Sequence, residues 1–130
     1  KMNKIYIPQN INSDYYKGTI KDNPEIIPDG FYLGPQDDEY LRNRDELLNN
    51  FEHTFLCDEW LDFFCFQTSF TKNKVSIKKI LEQIKKYYGN DIPLGYLMIA
   101  IKHRAERHTV DANGKILELY IEKNFTNILN

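Results

Sequence analysis

Cysteine, tryptophan, proline and glycine are all scarce in this chain, with two Cys, one Trp, five Pro and six Gly among 130 residues. Two cysteines cannot build a disulfide framework, so a reducing compartment, the cytoplasm, is the expected setting. No apolar run approaches the roughly 18 residues that a membrane span needs, and no membrane partner is expected. The opening stretch Lys1 to Pro8 also lacks the apolar core of a secretory signal. There is no phosphate loop, no GxGxxG, no GxSxG and no CxxC pair. The motifs of nucleotide binding, of serine hydrolases and of structural zinc are therefore missing, and no cofactor is expected.

What is present is a globular composition, 42% hydrophobic and 28% charged, which argues against general disorder. The length predicts one domain over residues 1–130. Nine Tyr and eight Phe predict an aromatic-rich core, with tyrosines left over for a contact surface. Charge is divided along the chain. Residues 1–65 carry thirteen Asp/Glu against six Lys/Arg, and residues 66–130 carry six against eleven, so a formal −7 is followed by +5. Such a division points to charged partners more than to catalysis.

Residues 1–36 hold four of the five prolines and read as an extended Pro/Gly-rich arm draped over the body. Within it, Ile5-Tyr6-Ile7 suits an edge strand stopped by Pro8, and Gly30-Phe31-Tyr32-Leu33-Gly34 a second β-like run. Residues 37–66 read as an acidic helical part. Asp37 or Asp38 is placed to cap a helix to about Asn50, with Leu41, Leu47, Leu48 and Phe51 on one stripe. Thr54 is placed to cap the next, Phe55 to about Phe66, with Leu56, Trp60, Phe63 and Phe64 at the spacing of a buried face. Asp58, Glu59 and Asp62 fall on its other side.

Residues 75–123 read as a basic helix plus β-hairpin. Ser76 caps a helix whose Ile77, Ile80, Leu81, Ile84 and Tyr88 fit the helical template, and Gly89-Asn90 stops it. It exposes Lys78, Lys79, Lys85 and Lys86. Residues 91–107 fit two templates: a helix capped by Asp91 with Pro93 in its first turn, which is preferred, or a strand buried on both faces. Asn113-Gly114 turns a closing hairpin in which Leu117, Leu119 and Ile121 point inward and Glu118, Tyr120 and Glu122 outward. The expected fold class is thus α+β, with helices packed against a C-terminal hairpin and short N-terminal strands.

Two charged surfaces follow. Asp37, Asp38, Glu39 and Tyr40, with Asp58, Glu59 and Asp62 beside Trp60, interleave carboxylates with large rings. Such a surface attracts a basic protein and anchors it, the strategy of small inhibitors that block nuclease toxins. A non-enzymatic, immunity- or antitoxin-type inhibitor is the preferred expectation. Alternatively, helix, turn, helix and hairpin is the order of a winged-helix unit, in which Lys102, His103, Arg104, Arg107 and Lys115 would meet nucleic acid. Catalytic arrangements are weaker. His103 and His108 with Arg104, Arg107 and Thr109 are the residue types of a metal-independent ribonuclease, but about 140° apart on a helix. His53, Cys57 and Cys65 lack a fourth zinc ligand, and buried free thiols are the simpler expectation.

Overall fold

In the computed structural model, which describes residues 6–122, the N-terminal third is more than an extended arm. Lys17–Asp22 forms a short helix, α1, and Ile26–Ile27 and Gly30–Phe31 form the antiparallel strands β1 and β2. The turn between the strands is Pro28-Asp29, and Gly30 takes the positive φ of 136° that the reversal requires. Tyr16, Ile20 and Ile26 are buried, so this segment contributes its own apolar side chains to the core. Tyr6 and Ile7 are not in a strand, and Ile5 lies outside the described residues.

The acidic part folds as two helices meeting at Asn50. The first, α2, spans Asp38–Asn49, and the Asp37 side chain accepts a hydrogen bond from the Tyr40 amide at 3.0 Å. Leu41 is not on the buried stripe: Tyr40 and Leu47 are, while Leu41 is 54% exposed. The face is set by Arg44, one turn from Tyr40, whose guanidinium donates to the carbonyls of Ile20, Asn23 and Ile26. Those carbonyls end α1 and lead into β1, so the arginine clasps the N-terminal segment to α2. The second helix, α3, spans Phe51–Phe64 and starts a turn earlier than its sequence predicts. Thr54 is not its cap; it is a fully buried interior residue. Nothing between Asn50 and Thr54 breaks a helix, and Phe51 packs on the core from that extra turn.

After a loop, Lys74–Ser76 forms β3 and runs directly into α4, Ile77–Tyr88. The Ser76 side chain accepts from the Lys78 amide at 3.2 Å, and Gly89 closes the helix at φ 71°, as expected. The ambiguous segment is a helix, α5, spanning Leu94–Arg104. Asp91 does not cap it; Pro93 precedes its first turn, and Asp91 instead pairs with Lys85 at 3.3 Å. Every residue from Gly95 to Ile101 is buried, so the helix has no polar face. That is why its sequence also resembled a strand covered on both sides.

His108–Val110 (β4) and Ile116–Tyr120 (β5) close the chain as an antiparallel hairpin. Its turn is tied by Asp111, whose Oδ1 accepts from the amides of Asn113 and Lys115. A register shift between Thr109 and Val110 leaves Leu117 without a directly paired residue. The bulge reverses the alternation there: Ile116 is buried and Leu117 is 42% exposed, contrary to the strict inward pattern, while Leu119 and Ile121 stay inside. β3 pairs with the other edge of β5, giving the strand order β3-β5-β4.

α5 is the axis of the domain. α3 packs along it most extensively, α4 lies on another side, and α1 with β1 and β2 covers the rest. The β1–β2 turn lies directly on Gly95, whose amide donates to the Pro28 carbonyl at 2.8 Å. Leu97, Met98, Ile99 and Ile101 are fully buried, and each such side chain contributes roughly 1.5–3 kcal/mol. Among the described residues, no helix is long and apolar enough to cross a membrane.

Candidate functional site

The N-terminus of α2 and the β1–β2 hairpin enclose a cleft of about 380 Å³. Asp29 comes from the hairpin turn, Asp37 and Glu39 from the start of α2, and Phe31, Tyr32 and Tyr40 supply the rings. Local chemistry explains the placement. Asp37 must face back over the first turn to cap it, and this holds its carboxylate at the cleft wall. The Tyr32 and Tyr40 rings stack at 5.7 Å with 23° between their planes. Each hydroxyl is held by a carbonyl, Tyr32 by Pro35 at 2.8 Å and Tyr40 by Pro24. Loss of solvent, then the charges of Asp37 and Glu39, raise the Tyr32 phenol above its ordinary value. Among the described residues, none of Asp29, Asp37, Asp38 and Glu39 has an ion-pair partner. Asp38 is exposed but does not line the cleft.

The other acidic candidates lie elsewhere and are largely engaged. Asp58 accepts from Arg104 at 3.0 Å through one oxygen and from the Tyr16 hydroxyl at 2.8 Å through the other. Glu59 accepts from the Tyr88 hydroxyl at 2.7 Å, and Asp62 from Arg104 at 3.4 Å. Glu106 is the closest partner of Arg104, at 2.8 Å. Burial pulls the Arg104 guanidinium down, but its hydrogen bonds to Glu106 and Asp58 outweigh that, and the net shift is upward. Burial and the Asp58 charge likewise push the Tyr16 phenol up. The seven acidic-surface candidates are therefore not one patch. Asp37, Glu39 and Tyr40 share the α2 cleft with Asp29, Phe31 and Tyr32, while Asp58, Glu59 and Asp62 line a separate groove on α3. Trp60 is 2% exposed and belongs to the core.

The basic candidates are dispersed. Arg104 is spent on carboxylates. Arg107 donates to the Thr68 and Thr71 carbonyls at 2.7 and 3.0 Å and lies 4.3 Å over the Tyr120 ring, pinning the loop after α3 to β5. His103 bonds Thr19 through Nδ1 at 2.8 Å and sits against Tyr15 and Tyr16. Lys102 and Lys115 are half-buried and have no ion pair among the described residues. The winged-helix order of elements is present, but the helix that would enter a groove is wrapped by α1, β1 and β2. His108 bonds the Glu106 carbonyl from β4, whereas His103 is held on α5 against Thr19, Tyr15 and Tyr16. Cys57 and Cys65 are free and buried, and burial pushes the Cys65 thiol up to about 12 and the Cys57 thiol higher still. No group of His, Cys, Asp and Glu among the described residues is arranged to hold a metal ion.

The chain matches no protein-family model, no curated protein and no solved structure. Its own geometry is what bears on function. The residues missing from the sequence-based set are Asp29, Phe31 and Tyr32. Their signal was the Pro28-Asp29-Gly30 turn, which marks a reversal but not what the reversal faces. For Glu106 the signal was absent, because its partner Arg104 read as a phosphate contact.

Proposed function

We propose that this protein is a non-enzymatic, protein-binding inhibitor of the immunity or antitoxin type, and that it neutralises a basic partner such as a nuclease toxin. The observation that carries this reading is the α2 cleft, where Asp29, Asp37 and Glu39 stand around aromatic walls without a cation of their own. Uncompensated carboxylates beside Tyr and Phe suit a guanidinium or ammonium group: Coulomb attraction speeds encounter, and the rings give contact area and cation–π attraction. A cytoplasmic site of action fits the two free, buried cysteines.

The test is recovery of the partner from the native host by the intact protein and by Asp29→Lys plus Glu39→Lys. Both positions are exposed and neither carboxylate serves a cap, so the fold is retained. Partner recovery is expected to fall by at least about tenfold with the variant, since each 1.4 kcal/mol is a factor of ten. Undiminished recovery sinks the cleft as the binding surface. The winged-helix-like reading rests on element order alone. Salt-sensitive binding to duplex DNA, lost on replacing Lys102 and Lys115 by Glu, would favour it instead.

A further inference from the structure

The α3 groove differs from the α2 cleft in character. Residues 8–15 form one wall through Pro8, Ile11 and Tyr15, and α3 forms the other through Phe55 and Phe63, enclosing about 320 Å³. Tyr15 is 44% exposed and Phe63 49%, although both lie beside well-packed neighbours. Phe63 continues edge-on into Phe64 at 6.2 Å, and Phe64 into Tyr87 at 5.4 Å, so the apolar wall extends as an aromatic strip. Large apolar groups gathered in this way on a surface mark an interaction site more often than chance.

Charge restricts what covers it. Asp58, Glu59 and Asp62 line the groove against the single cation Arg104. Arg104 sits against Asp58, both of whose oxygens are already used. Beside it Glu59 has one oxygen bound to Tyr88, and Asp62 has only the long 3.4 Å contact to Arg104, with its side chain 65% exposed. Glu59 and Asp62 are three residues apart on α3 and so point the same way. A surface that is apolar along its walls and lined by three carboxylates against one guanidinium disfavours phosphate backbones and anionic membranes alike. It matches an aliphatic or aromatic side chain next to a lysine or arginine.

We propose that the groove between residues 8–15 and α3 is a docking site for a segment of a protein partner in which a basic residue is flanked by apolar ones. The apolar side chains lie on Phe55, Phe63 and Tyr15, and the cation lies between Glu59 and Asp62. This rests on the proposed protein-binding role only in that the occupant is a protein. The groove and the α2 cleft share no residue, so the two can fail separately.

The test titrates the isotope-labelled protein with acetyl-Ala-Leu-Arg-Leu-Ala-amide at low salt and follows backbone amide shifts. Acetyl-Ala-Leu-Glu-Leu-Ala-amide and acetyl-Ala-Gly-Arg-Gly-Ala-amide are the comparisons. The expected result is saturable shifts at Ile11, Tyr15 and Phe63 with the first peptide, and affinity at least about tenfold weaker with either of the others. Phe63→Ser should remove the response, and Asp62→Lys should weaken the response to the arginine peptide alone. Both residues are exposed, and an unchanged spectrum away from the groove verifies the fold. No localised shifts up to about 1 mM peptide, equal response to the glutamate peptide, or shifts confined to the α2 cleft would overturn the proposal. So would concentration-dependent self-association abolished by Phe63→Ser, which would make the occupant a second copy of the chain.

Discussion

Replacing Gly95 by alanine sets two effects of opposite sign against each other. Gly95 is the second residue of α5, and alanine in a helix is favoured over glycine by about 0.8–1 kcal/mol. Against this, a Cβ at Gly95 would lie 1.9 Å from the Ile27 carbonyl oxygen and 2.8 Å from both the Ile27 carbon and the Pro28 oxygen. Carbon and carbonyl oxygen do not approach closer than about 3.3 Å, so the β1–β2 turn must retreat by roughly 1.4 Å. All three atoms are backbone, and no rotamer change relieves them. Retreat stretches the Gly95 N–H···O=C bond to Pro28, worth about 1 kcal/mol, and overpacking adds about 1–3 kcal/mol. The clash outweighs the propensity gain, and a net loss of roughly 1–3 kcal/mol is expected. Urea denaturation followed by the fluorescence of Trp60, the only tryptophan and itself buried, measures it. Gly18→Ala is the internal control, because nothing lies within 4 Å of its Cβ and it sits in α1; it should gain up to about 1 kcal/mol. If Gly95→Ala is as stable as the parent, the N-terminal segment does not close on α5 as described.

Two further outcomes follow from buried polar groups. Arg104→Met should destabilise by about 2–4 kcal/mol in thermal or urea unfolding, because it strands Asp58 and Glu106, whose side chains are only 16% and 11% exposed. A change below about 0.5 kcal/mol would mean that the guanidinium is a surface contact of the ordinary weak kind. His53 supplies a pH dependence. Burial lowers its pKa from 6.5, against the opposing pull of Glu52 and Asp91, and its Nδ1 has no hydrogen-bond partner among the described residues. The unfolded chain therefore binds the proton more readily than the folded one, and stability falls as pH drops below 6.5 toward the folded value. The slope stays below the limit of about 1.4 kcal/mol per pH unit for one group. His53→Gln should flatten the loss between neutral pH and mild acid; an identical loss in the variant would refute the assignment.

How much was legible depended on whether a residue's partners were close in sequence. The Ser76 cap, the Gly89 stop and the Asp111–Lys115 turn are short-range devices, and each is where its local chemistry put it. The sequence points to a later start for α3 because Thr54 is a good cap in isolation, whereas the packing of the half-buried Phe51 on the core rewards an earlier turn. The bulge that turns Leu117 outward depends on pairing with β4, which alternation along one strand cannot register. At the candidate sites, the exposed carboxylates of α2 were recognisable from their positions. The fate of Asp58 was not, since Tyr16 and Arg104 lie 42 and 46 residues away in the chain.

Composition and local pattern by themselves determined the α+β class, the helix from Ile77 to Tyr88, the closing hairpin and the division of charge between the halves. Each depends on backbone preference, side-chain spacing or summed charge, all of which act over a few residues or over none in particular. Tertiary structure alone decided that the N-terminal segment wraps α5 and that Arg104 neutralises acids of the other half. It also decided that the acidic surface splits into an open, cation-free cleft and an apolar groove with an excess of carboxylates. Which charges remain free is a property of pairing across the fold, and pairing is set by packing rather than by order along the chain.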